Sequence, residues 1–307
     1  MTRVLRSCTT HLQAATRTAV ADLATTLVPS DCHLCGCPLT TLRPAPVCER
    51  CILGIEALPP GAPLCASCGD LIAPESVRMA GGWGDGRCSA CRISPPAFAR
   101  AVAFAPYSGS NRDLLHMLKF DGMEPIAREV LGQGMAQAIL QLQPEAAKEL
   151  VVVPVPLFRA RQRRRGFNQA ERLAEAGLEV LGKSQPSWQL TLNARALERV
   201  RDTHELYPLT PHQRKVGLRG AFRVTDAAVI RGREVLLVDD ILTTGATASE
   251  CTRVLLRAGA TRVWVATWAR TVDPDAQPGV AFWNASSTRA SRPSHGRSSH
   301  GCASEPS

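Results

Sequence analysis

The pattern of apolar and polar positions divides the chain near residue 97. Before it no apolar rhythm is sustained; after it, strand-like and helix-like patterns alternate. Val235, Leu236, Leu237 and Val238 form a continuous apolar run after a polar Gly-Arg-Glu, the pattern of a strand buried on both faces. Residues 99–107, 149–155 and 262–269 read as further strands, the run at 235 continuing to Asp239. Helical spacing covers 111–120, 125–142 and 167–181, and a further helix runs from the Thr243 region to Leu256. In the second of these Ile126, Val130, Leu131, Met135 and Ile139 recur on one face and Pro125 suits the first turn. Leu173, Leu178 and Leu181 line the apolar side of the third. Strands alternating with helices predict an α/β domain with a parallel sheet.

The segment before Ser94-Pro95-Pro96 is organised by cysteine instead. Eight of the 12 cysteines form four CxxC pairs: Cys32/Cys35, Cys48/Cys51, Cys65/Cys68 and Cys88/Cys91. A CxxC turn points two thiolates at one centre, and two turns complete a tetrahedral four-thiolate site, so four pairs predict two structural Zn2+ sites. A lone CxxC is also a redox motif, but four within sixty residues favour metal. Prolines 44, 46, 59 and 60 and glycines 81, 82, 84 and 86 exclude long helices, leaving a loop-rich module that needs metal in place of a core. Sequential pairing and a cross-braced arrangement both fit the spacing. Cys37 reads as a spare thiol, Cys251 as a packed helix residue, and Cys8 and Cys302 as tail residues. Zinc thiolates imply a reducing compartment, hence the cytoplasm.

The predicted organisation is a leader over 1–28, a metal module over 29–96, the α/β domain over 97–270 and a disordered tail over 271–307. The leader lacks the contiguous apolar core of a secretory signal and reads as an amphipathic helix. The tail is rich in Ser, Arg, Gly, His and Pro and cannot bury enough surface to fold. No apolar run approaches the roughly 20 residues of a membrane span. A net charge of +9 over 307 residues favours an anionic partner without identifying it.

Candidate chemistry concentrates in two places. Asp239 and Asp240 follow the apolar run at 235–238, and Thr243, Thr244, Gly245, Ala246 and Thr247 open the next helix. In an open parallel sheet the strand's C-terminal end faces the ligand crevice, and the free N–H groups of a helix start cradle phosphate. Carboxylates beside a phosphate cradle suit a sugar phosphate. The second place is Pro154-Val155-Pro156, which runs into Arg159, Arg161, Arg163, Arg164, Arg165 and Gly166. Basic residues and a glycine before a helix predict a second anion site, against the alternative of a solvated basic face. Gly177 to Ser184 matches a Walker A loop by letter, but it continues an amphipathic helix rather than linking strand to helix, so it is read as a decoy. His116 reads as packing or surface; His204 and His212 lie in a loop that could reach a substrate, but nothing in the sequence puts them within hydrogen-bond reach of one.

The thirteen residues VLLVDDILTTGAT resemble the signature of type I phosphoribosyltransferases. That resemblance implies a site for 5-phosphoribosyl 1-pyrophosphate (PRPP) with Mg2+, in which Asp239 and Asp240 face the ribose hydroxyls, Thr243, Thr244, Gly245, Ala246 and Thr247 hold the 5-phosphate, and Val238 belongs to the site. Together with the four CxxC pairs, VPVPL, RGFNQAERLA and RVRDT, it makes the chain resemble the ComF family over about residues 28–270. The family implies a double zinc ribbon, a phosphoribosyltransferase-like domain, and a cytoplasmic role in handling single-stranded DNA alongside other competence proteins. By the same resemblance Pro154, Val155, Pro156, Arg165 and Gly166 belong to the pyrophosphate-side loop, and residues 195–219 to a hood. Arg161, Arg163 and Arg164 exceed what one pyrophosphate needs and read as nucleic-acid contacts. Residues 204–210 and Gly217 depart from the family pattern within the hood. Three functions fit: a phosphoribosyltransferase of unspecified acceptor, a non-catalytic single-strand binder and a PRPP-sensing regulator.

Overall fold

The computed structural model describes residues 30–39, 41, 43–72, 78–79, 82–83, 85–203 and 217–272. The expected leader, the tail beyond Val272, Cys8, Cys302, His204, His212 and the 204–210 departure lie outside them. Two compact units divide between Ile55 and Glu56. The second four-cysteine segment therefore belongs to the same unit as the α/β domain.

The described part of the first unit is a knuckle built on a short helix, α1 (Glu49–Leu53). The second unit repeats that plan before its sheet begins. It has a small antiparallel pair, β1 (Arg78–Met79) and β2 (Gly82–Trp83), and a short helix α2 (Ser89–Ile93). The chain then enters β3 (Arg100–Pro106), α3 (Gly109–Phe120), a π-helical turn (Ala127–Leu131) leading into α4 (Gly132–Leu140), and β4 (Glu149–Pro154). Next come α5 (Arg159–Arg165), α6 (Gln169–Ser184), β5 (Gln189–Leu192), β6 (Leu197–Arg199), β7 (Phe222–Val224) and α7 (Ala227–Ile230). The domain closes with β8 (Glu234–Leu242), α8 (Ala246–Arg257) and β9 (Arg262–Arg270).

Strands β3, β9, β8, β4 and β5, in that spatial order, form one parallel sheet. Central β8 is paired on both sides, which is why its run Val235–Val238 carries no polar residue and is fully buried. On one face Val151, Val153, Val235, Leu237, Val263 and Val265 pack with Ala248, Cys251 and Leu255 of α8. Successive strand residues point to opposite faces, so Val152, Leu236, Trp264 and Trp268 look toward α4 and α6, which cover the other side. Truncating a fully buried Trp such as Trp268 costs about 3–5 kcal/mol. Its indole Nε1 donates to the carbonyl of Leu131 at 3.0 Å, satisfying a backbone acceptor in the π-helical turn.

Close helix packing explains two glycines. A Cβ on Gly134 would lie 2.6 Å from the Phe104 ring, and one on Gly177 would lie 2.8 Å from the Met135 side chain. Gly177 thus lets α6 approach α4, and the Walker-like segment is interior helix, as its periodicity predicts.

The basic segment corrects one expectation. Arg159–Arg165 is a helix, and Gly166 ends it in the left-handed conformation at φ 88°, its N–H donating to the carbonyl of Gln162. A glycine with positive φ is a helix stop. The next helix starts at Gln169, with the Asn168 side chain accepting from the N–H of Ala170 at 3.1 Å. The segment therefore offers guanidinium charge, but Arg165 and Gly166 sit at the negative end of a helix dipole rather than at the positive end expected. Sequence reasoning also missed β5, β6, β7 and α7.

Candidate functional site

The acid pair is held by the central strand. Asp239 and Asp240 lie within β8, where Asp239 pairs with Thr267 of β9 and the strand continues to Leu242. The backbone N–H of Asp240 donates to Oδ1 of Asp239 at 2.9 Å. Asp240 is buried and its Oδ2 lies 2.9 Å from Nζ of Lys119, in the last turn of α3. Asp239 is partly exposed. Burial, then the neighbouring Asp240 charge, push its carboxyl up to about 8. Lys119 and Arg199 oppose that shift. Arg199 is itself pressed below its ordinary value by burial and then by Arg161. It donates to Oγ1 of Thr203 and lies over the Phe222 ring.

The loop after the acids leads into α8 through Gly245, which has φ 70° and no side-chain cap. The first-turn N–H groups of α8 therefore face the loop without a side-chain acceptor, the arrangement that binds phosphate. Thr243 and Thr244 are exposed, and Thr247 is half-buried. Gly245 is required by its φ, and a Cβ there would lie 3.6 Å from the Phe98 ring. A dipole-backed anion cradle and a pair of acids thus share one strand–loop–helix.

Pro154, Val155, Pro156 and Leu157 are all buried. The Val155 N–H donates to the carbonyl of Val238 at 2.8 Å, and Asn168 Nδ2 donates to the carbonyl of Val155 at 3.0 Å. This stretch is fixed as a wall against β8. Of the arginines beyond it, Arg159 pairs with Glu198, Arg161 with Asp202 at 3.2 Å, Arg165 with Gln169, and Arg172 with Glu124 and Glu175. Arg163 and Arg164 are exposed, with no polar partner among the described residues. A separate cleft of about 580 Å³ opens behind this wall, lined by Pro156, Glu171, Arg195, Glu198 and Arg199 among others. Burial, then Glu175, raise the Glu171 carboxyl within it.

The described residues on either side of 204–216, within the segment expected to form a hood, are tied together. Arg201 Nη2 donates to the carbonyls of Gly217 at 2.7 Å and Arg219 at 2.8 Å. Glu250 of α8 accepts from the N–H of Gly220 at 2.9 Å and pairs with Arg253. The glycine that departs from the family pattern thus contributes only its carbonyl here.

The eight CxxC cysteines are free and form two clusters, paired sequentially. Cys32, Cys35, Cys48 and Cys51 bring their sulfurs within 4.8 Å of one another, as do Cys65, Cys68, Cys88 and Cys91. Cys35 and Cys48 Sγ are 3.7 Å apart, as are those of Cys68 and Cys88. A tetrahedron with zinc–sulfur bonds of about 2.3 Å has edges of about 3.8 Å, so both clusters fit structural zinc. In each, a backbone N–H is aimed at the first sulfur: Cys48 to Cys32 at 3.3 Å and Cys88 to Cys65 at 3.2 Å. Burial opposes ionisation of Cys32, but N–H donors from Cys48, Cys35 and Leu34 outweigh it and lower its thiol to about 7. Cys65 is lowered to about 4, by the Cys68 thiol first and by further N–H donors, against burial. Cys37 corrects the reading as a spare thiol, being disulfide-bonded. Cys251 is buried in α8, as expected.

Lys119 and Arg199 are the site residues that sequence reasoning missed. Lys119 is contributed by a helix far from the motif, and only the fold brings it to Asp240.

Fold and crevice together define an α/β phosphoribosyltransferase-type domain, and residues 140–277 match the phosphoribosyl transferase domain family. The chain is 32% identical over 247 residues to the DNA utilization protein YhgH of Salmonella typhimurium, covering 80% of this chain and 99% of that one. It is 28% identical over 230 residues to competence protein F of Haemophilus influenzae, 71% and 88% of the two chains. With competence protein ComFC of Streptococcus pneumoniae it shares 30% identity over 159 residues, 52% and 62%. The chain belongs to the ComF family. No helix among the described residues is long and apolar enough to cross a membrane.

Proposed function

We propose that the crevice binds Mg-PRPP and that the protein serves DNA uptake or utilization in the cytoplasm, as the names of its relatives suggest. The observation that carries the PRPP reading is the uncapped start of α8, preceded by the exposed Thr243 and Thr244, shortly after the acid pair of β8. Thr243 to Thr247 would hold the 5-phosphate, and Asp239 and Asp240 the ribose hydroxyls. Arg165 would stand on the pyrophosphate side, whereas Arg161, expected as a nucleic-acid contact, is already paired with Asp202. Magnesium, bound with the substrate, would neutralise charge building on the departing pyrophosphate. Substitution at the anomeric carbon needs little covalent help, so this chain's part is positioning and electrostatics. Lys119 holds Asp240 until ribose or metal replaces it. Each four-cysteine cluster holds one Zn2+. Arg163 and Arg164, exposed and without a polar partner among the described residues, are available for the phosphates of single-stranded DNA.

Calorimetry with Mg-PRPP tests the acid pair. Asp239→Asn combined with Asp240→Asn should lower affinity at least 100-fold while circular dichroism stays unchanged; unchanged affinity would remove the assignment. The raised Asp239 value adds a pH signature. A ligand that requires the ionised carboxylate must expel its proton, so affinity should rise with pH until about 8 and then level off. For the free protein the sign is opposite. The folded state keeps a proton that the unfolded chain loses near 3.9, so this group's contribution to stability falls as pH rises from about 4 through 8, and Asp239→Asn should abolish that slope. Pyrophosphate release with candidate acceptors separates a transferase from a PRPP sensor.

A further inference from the structure

Base stacking needs an exposed aromatic ring, and the rings near the basic segment do not supply one. Phe167 and Trp188 are buried, and Phe158 is partly covered. The ring that is exposed comes from elsewhere in the chain. Phe120, the last residue of α3, is 62% exposed, the one Phe, Tyr or Trp so open among residues with described side chains. It is also placed by its neighbours. The guanidinium of Arg165 lies over it, 5.5 Å from the ring centroid, and His116, one turn earlier, packs at 4.5 Å and 37°. Its chain neighbour Lys119 is the residue that pairs with Asp240. The ring thus lies at the end of α3 that reaches Asp240, and Arg163 and Arg164, without a polar partner among the described residues, are on the same short helix as Arg165.

We propose that Phe120, with Arg165 over its ring and His116 beside it, is a stacking platform for a base of single-stranded DNA whose backbone runs over Arg163 and Arg164. An aromatic face beside a cationic track is the combination that binds single strands without sequence preference. A free nucleobase would use the ring but leave both arginines without a phosphate, which is why a strand is the better occupant. The guanidinium makes the ring a cation–π partner, and with both Arg165 and His116 packed on it 62% of Phe120 stays open to a base. The inference rests on the DNA part of the proposed function and is independent of the PRPP part.

The full-length chain is titrated with a fluorescent oligothymidylate of about 12 nucleotides, within the site sizes of such grooves, and with an abasic strand of equal length. The parent should prefer the base-bearing strand. Phe120→Ala should weaken that strand about 5- to 150-fold, the range for one stacked base, and leave the abasic strand unchanged. Phe120→Trp should restore binding and show indole quenching on addition of the strand. Arg163→Ala with Arg164→Ala should weaken both strands and flatten the plot of log affinity against log salt by about 1.4. Mg-PRPP affinity, measured on each variant, reports whether the crevice is intact. A parent that binds neither strand removes the DNA reading and this inference with it. Parent binding that Phe120→Ala leaves intact, or equal affinity for the two strands, removes the platform alone. Quenching of Phe120→Trp by free thymine at lower concentration than by the strand overturns the choice of occupant.

Discussion

The two four-cysteine knuckles share a backbone plan and differ in what surrounds them. In each, a CxxC turn ends on a glycine in the left-handed region, Gly36 at φ 72° and Gly69 at φ 68°, whose N–H returns to the carbonyl of the first cysteine. A short bridge flanks each turn, Asp31 with Pro38 and Leu64 with Leu71. A five-residue helix follows the third cysteine in both. In the first cluster Cys35 is exposed, whereas no cysteine of the second is. The second is also bonded to the sheet. The Ala101 N–H donates to the carbonyl of Ser67 at 2.8 Å. Arg270, at the end of β9, donates to the carbonyl of Cys68 at 2.6 Å, lies 3.5 Å from its Sγ and pairs with Asp70 at 3.0 Å. One motif thus stabilises its own unit, while its copy has become part of the α/β domain's edge.

Removing one sulfur from each knuckle should give the largest contrast. Cys65→Ser should release one zinc equivalent and lower the melting temperature of the α/β domain, whereas Cys32→Ser should release one equivalent and leave that transition in place. Metal analysis with a thermal scan checks both, and equal melting shifts would break the comparison. Arg270→Met comes next. It removes a buried cation from a pair whose acid, Asp70, is 32% exposed, and leaves the Cys68 carbonyl without its donor, at a cost of about 1–3 kcal/mol, or about 2–12 °C in a domain this size, with both zinc ions retained. The smallest effect is at the paired glycines. Gly36→Ala has open space around its new Cβ and should cost only the left-handed backbone, about 1–2 kcal/mol. In Gly69→Ala the Cβ would lie 2.7 Å from the carbonyl oxygen of Ala101, adding about 1–3 kcal/mol of overpacking. Denaturant titrations that gave equal costs would mean the second knuckle yields as freely as the first.

Local spacing made much of this legible in the sequence. The cysteine pairs announce two metal sites by their spacing, while the choice of sequential over cross-braced pairing came only from the fold. The strands at 100, 149, 234 and 262 were legible because burial on both faces leaves an unmistakable apolar run, most plainly at Val235–Val238. What escaped was either short or long-range. Strands β6 and β7 span three residues each, too few to establish a period of two. Gly166 reads equally well as a helix opener and a helix stop, since the choice depends on the sign of φ. Lys119 meets Asp240, and Phe120 meets Arg165, only because α3 and the segment after β4 converge on the same end of the sheet. The attachment of the second knuckle through Arg270 has the same character, since nothing near Arg270 in the chain announces a cysteine partner.

That attachment carries a consequence for how the protein is made. The hydrogen bonds from Arg270 to Cys68 join positions 202 residues apart, while the first knuckle is complete once Cys51 has been synthesised. At translation speeds of about 5–20 residues per second, the ribosome takes roughly 10–40 s to travel from Cys68 to Arg270. During that interval the second set of thiolates exists without its arginine and without the sheet edge that covers it. The first knuckle can take metal as an isolated folding unit during synthesis; the second closes only when the last strand of the sheet arrives.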